Sequence, residues 1–188
     1  MNNANDLVKD CERVDDLQLN GLKIIQNPDW FSFGIDAVLL SAFAKVKAGA
    51  NVVDLCTGTG IVPLLLSSKT EAKSFTGIEI QPEVANMAMR SVALNGLESR
   101  IRILTADVQQ LDGVLEKSSV EVITCNPPYF KATGGIHNAH QVKTLSRHEV
   151  ALPLEALFQA VYRLLVPQGQ FYMVRSEEHT SELQSRHN

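Results

Sequence analysis

Between residues 51 and 174 the sequence alternates short β-branched runs with segments of helical periodicity, and this alternation constrains the fold more than any other feature. Repeated strand–helix–strand units build a parallel sheet, because the crossover helices cover its faces. The predicted strands are residues 51–55, 74–80, 101–105, 120–124 and 170–174, and the predicted helices are residues 36–47, 61–67, 81–95 and 154–165. The sequence therefore predicts an α/β fold with a doubly wound, mostly parallel sheet that binds its ligand at the carboxyl ends of the strands.

The composition is that of one ordinary domain. The chain has 188 residues, of which 45% are apolar and 20% charged, enough to bury a sizeable core. Its apolar stretches are shorter than the ~20 residues that cross a bilayer, and its polar, acidic start lacks the pattern of a secretory signal. Its three cysteines, Cys11, Cys56 and Cys125, are far apart in sequence and fit a reducing compartment. We therefore expect a cytoplasmic protein with no membrane partner, consisting of a polar N-terminal segment at residues 1–16 and one domain at residues 17–174.

The last residues, 175–188, are polar and carry no apolar periodicity. Residues 175–185, RSEEHTSELQS, resemble the translation of a widely used DNA sequencing adapter, so we interpret 175–188 as a non-native tail. A natural disordered tail is the alternative. The formal net charge of −4 weighs against a nucleic-acid partner. Without residues 176–188 the charge would be −2, which weakens that objection.

The first predicted strand leads into a glycine turn, DLCTGTG, at residues 54–60. Such glycines let a ligand approach the backbone closely, but Pro63 stands where a dinucleotide-binding fingerprint has its third glycine. Glu79 ends the second strand, where a carboxylate can accept hydrogen bonds from ribose hydroxyls, and Asp107 follows the third, where it can contact an adenine amine. Each acidic residue alone could be a helix cap or a solvated turn. Together with the turn they predict a pocket for an adenosine-bearing ligand.

A second motif, Asn126-Pro127-Pro128-Tyr129, directly follows the fourth predicted strand. The prolines fix the backbone, so the Asn126 side chain and the Pro127 carbonyl can accept hydrogen bonds from a planar NH2 group and direct its lone pair toward a methyl donor. Tyr129 can stack on a flipped base, an interaction of ~1–3 kcal/mol. A strand end without function would explain the prolines but neither Asn126 nor Tyr129.

The motifs DLCTGTG, GIEI and NPPY resemble, in order and spacing, those of the Rossmann-like class I methyltransferases, which depend on S-adenosylmethionine. More narrowly, the stretches FSFGIDAVLL, GIVPLLL, NPPYF and RHE resemble the bacterial tRNA1(Val) adenine-N6-methyltransferases over about residues 17–174. The resemblance implies methyl transfer from S-adenosylmethionine to the 6-amino group of an adenine next to the anticodon of a tRNA. The final helix and last two strands of that fold are absent from the sequence, so we expect a sheet truncated after its fifth strand.

The resemblance also implies roles for individual residues. Those expected to hold the target base and carry the catalysis are Asn126, Pro127, Pro128 and Tyr129. Those expected to bind the cofactor are Asp54, Cys56, Thr57, Gly58, Gly60, Glu79, Ile80, Asp107, Val108 and Asn126. With the sulfonium as leaving group, in-line positioning is the main requirement, and neither a metal nor a strong base is needed.

Three other functions stay open. Protein-glutamine methyltransferases share NPPY, because a side-chain amide presents the same planar NH2, but they generally carry a longer helical domain before the cofactor turn than the 53 residues found here. DNA adenine methylation is disfavoured because no recognition domain is evident. A non-catalytic module that binds RNA or the cofactor is the third alternative.

Residues 131–147, next to NPPY, are basic and carry few acids, which indicates either an RNA-contacting flap or a solvated loop. Their basic side chains are Lys131, His137, His140, Lys143 and Arg147. The histidines lack cysteine or acidic partners at ligand spacing, so no metal site is expected. We expect a monomer with an RNA substrate, in particular tRNA.

Overall fold

The structure is a computed structural model that describes residues 7–30, 32–127 and 152–174. Its strands are β1 (Arg13–Asp16), β2 (Lys23–Gln26), β3 (Asn51–Leu55), β4 (Ser74–Glu79), β5 (Ile101–Thr105), β6 (Val120–Cys125) and β7 (Leu165–Met173). Its helices are α1 (Ile35–Phe43), α2 (Ile61–Lys69), α3 (Pro82–Leu94) and α4 (Leu154–Leu164), with a short 3-10 helix at Val108–Gln110. The predicted alternation of strands and helices is confirmed.

Strands β3 to β7 form one sheet in the order β5-β4-β3-β6-β7, and every neighbouring pair is parallel. From β3 the chain moves outward through β4 and β5, then returns to the other side of β3 to form β6 and β7. The strand order therefore reverses between β3 and β6, which is where open α/β sheets bind their ligands. The predicted doubly wound α/β fold is confirmed.

Apolar side chains cover both faces of this sheet, as strand alternation requires. On one face Val52 and Phe75 pack with residues of α1, α2 and α3. On the other face Val53 and Ile123 pack with residues of α4, including Leu157. Because β3 contributes to both layers and is the middle strand, its carboxyl end is held from both sides.

The hairpin β1–β2 was not predicted from the sequence. Its two strands are antiparallel, and the chain between them has positive φ at Gln18, Asn20 and Gly21. The hairpin is attached to α3 by a hydrogen bond of 2.9 Å from the Ile25 backbone N–H to the Ser91 hydroxyl. The sequence of β1, RVDD, is mostly charged and therefore carries little strand signal. The strand is stabilised by its pairing with β2, which is bonded to α3.

The preceding segment is attached to the same helix. Arg90 on α3 donates to both carboxylate oxygens of Glu12, over 2.5 and 2.6 Å, and to the backbone carbonyl of Leu7. The hydrogen bonds from Arg90 lower the pKa of Glu12. The segment predicted to be a polar N-terminus is thus joined to the domain from Leu7 onward.

Two predicted boundaries differ from the structure by more than two residues. Helix α1 ends at Phe43 and not at residue 47, because Ala44 has an extended backbone and the chain leads toward β3. Strand β7 begins at Leu165, directly after α4, and not at residue 170. Val120 lies opposite Leu165 and Val122 opposite Gln170, so residues 166–169 form a bulge within β7.

Two apolar stripes flank β7, which pairs only with β6 among the described strands. One lies on α1 and the other on α4, each with large side chains four residues apart. The most exposed members are Phe43 at 74% and Tyr162 at 88%. The full set is Ile35, Leu39, Phe43, Leu154, Phe158 and Tyr162. An apolar surface of this kind is unusual on a monomeric protein.

Candidate functional site

The predicted functional residues lie along the carboxyl edge of the sheet. Across β5, β4, β3 and β6, in that order, lie Asp107, Glu79, Asp54 and Asn126, each within two residues of the end of its strand. Backbone hydrogen bonds join the connecting loops, from Thr57 N–H to the Ile78 carbonyl over 2.9 Å and from Ala106 N–H to the Glu79 carbonyl over 3.0 Å. The structure therefore brings the four positions to one edge, at the point where the strand order reverses.

The glycine turn has the backbone that its sequence predicts. Gly58 and Gly60 have φ of 56° and 81°, in the left-handed region that favours glycine. A Cβ at Gly58 would meet no atom of the described residues within 4 Å, whereas one at Gly60 would lie 3.3 Å from the Ala88 Cβ of α3. Within the described chain Gly58 therefore faces open space, whereas Gly60 lets α3 pack closely against the turn. Helix α2 begins at Ile61, so the turn also presents the positive end of a helix dipole.

The Glu79 carboxylate holds this turn in place. It is 5% exposed and accepts hydrogen bonds from the backbone N–H groups of Gly58, at 2.9 Å, and Gln81, at 3.0 Å. Burial raises its pKa, although these N–H donors act in the opposite direction. A carboxylate has about four lone-pair positions, so Glu79 can accept ribose hydroxyls as well. The structure thus adds a positioning role to the predicted one.

Asp54 is the second buried carboxylate of the site. It is 2% exposed, and its Oδ1 accepts a hydrogen bond of 2.7 Å from the hydroxyl of Thr124 on β6. Burial raises the pKa of Asp54 to about 7, the Glu79 charge acts in the same direction, and the Thr57 and Thr124 hydroxyls oppose it. Within the described residues the buried Thr57 hydroxyl has no hydrogen-bond partner, so of the two only Thr124 bonds to Asp54.

Sequence reasoning missed Thr124 and Gly77. Thr124 is fully buried, and the available signal was a polar residue on the strand face that otherwise carries Val120 and Val122. A Cβ at Gly77 would lie 2.8 Å from the Thr57 Cγ2 and 2.8 Å from the Ile103 Cδ1. A glycine inside a strand often marks such a close approach. Gly77 therefore leaves the space that the Thr57 side chain occupies.

Asp107, which follows β5, forms the helix cap that was the alternative to an adenine contact. Asp107 precedes the short 3-10 helix, and its Oδ1 accepts a hydrogen bond of 2.8 Å from the Gln109 backbone N–H. Val108 is buried, whereas Ile80 exposes 38% of its surface beside Glu79. Of these residues, Ile80 presents the apolar surface on which a flat ring could lie.

The NPPY motif is described only in part. Asn126 and Pro127 are half-buried and directly follow β6. Pro128 and Tyr129 lie outside the described residues, as do the basic segment 131–147 and the tail 175–188. Cys125, the last residue of β6, is buried beside Cys56 of the glycine turn, and that neighbouring thiol, together with burial, raises the pKa of Cys125. The start of the motif therefore contacts the turn through these two side chains.

The described ranges contain neither a metal-binding cluster nor a membrane-spanning helix. They contain no group of three or more histidine, cysteine or acidic side chains arranged to hold a metal ion. No helix in them combines the length and the apolar composition that spanning a bilayer requires.

Solved structures share this fold. A predicted O-methyltransferase from Agrobacterium tumefaciens superimposes with a TM-score of 0.58 at 21% identity, over 80% of this chain and 65% of that one. A geranyl diphosphate methyltransferase, solved in complex with SAM, gives a TM-score of 0.57 at 16% identity, over 74% of this chain and 47% of that one. The predicted Rossmann-like methyltransferase fold is confirmed.

Sequence comparison identifies the family. A curated tRNA1(Val) (adenine(37)-N6)-methyltransferase from Porphyromonas gingivalis W83 is 32% identical over 156 residues, which cover 80% of this chain and 60% of that protein. The chain thus spans about 60% of the length of this relative. The model of the family described as Methyltransferase small domain matches residues 22–184. With the strand-end geometry and the fold in agreement, the chain belongs to the Methyltransferase small domain family.

Proposed function

We propose that this chain is the cofactor-binding core of an S-adenosylmethionine-dependent enzyme that methylates the 6-amino group of an adenine in tRNA, next to the anticodon. The name of the Porphyromonas gingivalis relative supports this substrate, and the NPPY motif supports transfer to a planar NH2 group. A tRNA substrate would place the reaction in the cytoplasm. The observation that carries the proposal is the hydrogen bond between Gly58 and Glu79, which joins the glycine turn to the ribose-accepting carboxylate.

The turn fits the methionine end of this cofactor in two respects. Open space adjoins the Gly58 Cα, and the N-terminus of α2 follows Gly60. The methionine carboxylate is an anion, and the first N–H groups of a helix favour anions. The buried Thr57 hydroxyl, which has no partner within the described chain, is a further polar group in the same turn.

The charges of the site also fit. Asp54 and Glu79 are both buried acids, and each would be more stable beside a cation. S-adenosylmethionine carries a sulfonium and an ammonium group, so its binding would favour the ionised forms of these carboxyls. Glu79 would accept the ribose hydroxyls, and the exposed Ile80 would lie against the adenine ring.

The cofactor, when bound, supplies an activated methyl group on sulfur. The chain's contribution is to position the acceptor amine in line with that group. Asn126 and Pro127 would accept hydrogen bonds from the amine, which reduces its conjugation with the base and directs its lone pair. Positioning of this kind can contribute several kcal/mol to lowering a barrier. Pro128 and Tyr129 keep the roles predicted from the sequence, rigid backbone and base stacking.

The test is methyl transfer from labelled S-adenosylmethionine to unmodified tRNA, with the Porphyromonas gingivalis relative as positive control. Asn126→Ala should abolish the label in 6-methyladenosine and weaken S-adenosylmethionine binding, measured by calorimetry, far less, because the glycine turn and Glu79 remain. Asn86→Ala, at an exposed asparagine of α3, is the matched control and should stay active.

Other results would change the assignment. Label in a protein fraction and not in tRNA would move it to glutamine methylation. Cofactor binding without transfer to either acceptor would favour a non-catalytic module. Absence of S-adenosylmethionine binding by a folded chain would refute the proposal.

A further inference from the structure

Thr124 and Asp54 form a polar pair between the two strands that carry the proposed cofactor turn and the proposed substrate loop. They are register partners across β3 and β6, and the Thr124 hydroxyl donates to the Asp54 carboxylate over 2.7 Å. Thr124 is fully buried and Asp54 nearly so. The pair lies at the reversal of strand order, one residue before each strand ends.

Packing alone does not account for a threonine at this position. Two residues earlier on the same face, the register pair is Val52 and Val122, which belong to the apolar core. Valine would fill nearly the same volume as threonine in position 124. A buried carboxylate, in contrast, is strongly destabilised unless a donor compensates for its lost hydration. The hydroxyl of Thr124 supplies that donor.

The pair also links two loops. Two residues beyond Asp54 is Cys56, the first residue of the glycine turn after β3 ends, and two residues beyond Thr124 is Asn126, which begins NPPY. A side-chain bond between the strands therefore fixes the two loops relative to each other. Hydrogen bonds to a charged group are stronger than those between neutral groups.

We propose that Thr124 is a positioning residue, which holds the Asp54 carboxylate ionised and oriented so that the cationic cofactor binds at neutral pH. This inference rests on the proposed function, because it takes S-adenosylmethionine as the ligand. It assigns Thr124 no contact with the cofactor. Thr124 acts through Asp54, and its effect on binding must therefore depend on the ionisation of that carboxyl.

Within the described residues, few other titratable groups surround Asp54. Glu79 faces it from β4, and the Cys56 and Cys125 thiols lie at the ends of β3 and β6. Helix α1 carries Asp36 in its first turn, and the single charge of α2 is Lys69 at its far end, bonded to Ser41. Replacing Thr124 removes the hydroxyl that bonds to Asp54 and leaves these groups, and the nearby Thr57 hydroxyl, in place.

The experiment compares S-adenosylmethionine binding by the wild-type chain and Thr124→Val, by calorimetry from pH 6 to pH 8.5. Loss of a donor to the charged form should raise the pKa of Asp54 above its value of about 7, by roughly one unit. The dissociation constant of the variant should then exceed that of the wild type about ninefold at pH 6, about fivefold at pH 7 and less than twofold at pH 8.5. The ratio at each pH cancels the titration of the ligand's own amino group.

Three variants serve as controls. Thr124→Ser keeps a hydroxyl and should stay within about twofold of wild type at every pH. Thr76→Val makes the same change on β4, at the register partner of Val53 and so on the opposite face, and should not alter binding. In an Asp54→Asn background, Thr124→Val should have no further pH-dependent effect, because the ionisable partner is gone.

The outcomes separate this inference from the proposed function. A wild-type chain that does not bind S-adenosylmethionine at any pH refutes the proposed function itself. The inference would be overturned if the wild type binds and the ratio of the dissociation constants of Thr124→Val and wild type is the same at every pH. Thr124 would then be only a packing residue. If Thr124→Val lacks a cooperative melt, Thr124→Cys, which has a weak donor, provides the same comparison with a smaller expected shift.

Discussion

The backbone N–H of Gly58 lies 2.9 Å from the carboxylate oxygen of Glu79 to which it donates, so the glycine turn after β3 and the end of β4 are held together. The same carboxylate accepts from Gln81 at the start of α3. One buried side chain therefore sets the position of a turn on one strand and of a helix on the next.

Replacing Glu79 by alanine is expected to weaken S-adenosylmethionine binding by at least about tenfold, because hydrogen bonds to a charged acceptor contribute ~1.5–3 kcal/mol each. Calorimetry measures the affinity. Hydrogen exchange at the Gly58 amide should become faster, since its acceptor is lost. Glu83→Ala, an exposed acidic residue in the first turn of α3, is the control and should change neither quantity. Unaltered affinity in Glu79→Ala would show that this carboxylate does not face the ligand.

Replacing Asp54 by asparagine is expected to stabilise the chain at pH 8 while weakening cofactor binding. Burial raises the pKa of Asp54 from 3.8 to about 7, so the folded state binds this proton more tightly than the unfolded state. The resulting stabilisation is complete below about pH 3.8 and is lost as the pH rises through about 7. Asparagine keeps an acceptor for Thr124 without the charge, which should raise the free energy of unfolding by ~2–4 kcal/mol at pH 8.

Urea denaturation at pH 8 and at pH 4.5 tests this. The gain in free energy of unfolding of Asp54→Asn over wild type should be large at pH 8. It should be small at pH 4.5, where the wild-type carboxyl is already protonated in the folded chain. A gain of equal size at both pH values, or a loss at pH 8, would contradict the raised pKa. A more stable but weaker-binding variant is a common result at functional sites.

Replacing Gly77 by alanine is expected to cost ~1–3 kcal/mol of stability and to displace the turn, because the new Cβ would lie 2.8 Å from the Thr57 side chain. Thermal melts and S-adenosylmethionine titrations measure the two effects. Gly34→Ala is the control for stability, since a Cβ there meets no atom within 4 Å and its φ is ordinary. A Gly77→Ala variant with wild-type stability and affinity would mean that the Thr57 side chain can move aside freely.

The apolar stripes beside β7 are expected to make the 188-residue chain self-associate, because isolated edges and large apolar surfaces promote contact between chains. Leu39→Ser combined with Tyr162→Ser should reduce association in sedimentation experiments while leaving the melting temperature nearly unchanged. The control variant Val14→Ser, at an exposed residue of the hairpin, should not reduce association. A wild-type chain that melts cooperatively and stays monomeric at high concentration would count against this prediction.

Much of the sheet could be predicted from the sequence, because hydrophobic alternation reports burial directly. The predicted bounds of the first and third strands, residues 51–55 and 101–105, match β3 and β5. Helix α3 was predicted to within one residue at each end, since Pro82 starts it and Gly96 follows its end. Local signals of this kind need no knowledge of the rest of the fold.

The remainder depends on contacts between distant residues. The hairpin is stabilised by hydrogen bonds such as that from Ile25 to Ser91. The residues around Ile25 contain no sequence pattern that predicts so distant a partner. Thr124 was missed for the same reason, because a threonine is common in strands and only the β3–β6 register places it against Asp54. The roles of Pro128 and Tyr129 stay predictions, since both lie outside the described residues.

Cys56 has a φ of 58°, in the left-handed region, although it carries a side chain. That conformation costs about 1–2 kcal/mol, and it is maintained by the contact with Cys125 and by the hydrogen bond from Thr57 to Ile78. The turn is thus brought into its final shape when the chain folds, before any ligand arrives. Where a loop becomes ordered only on binding, the entropy lost by the loop lowers the affinity. Association at this turn should therefore resemble the docking of a flexible molecule onto a rigid surface, with the entropy loss confined to the ligand.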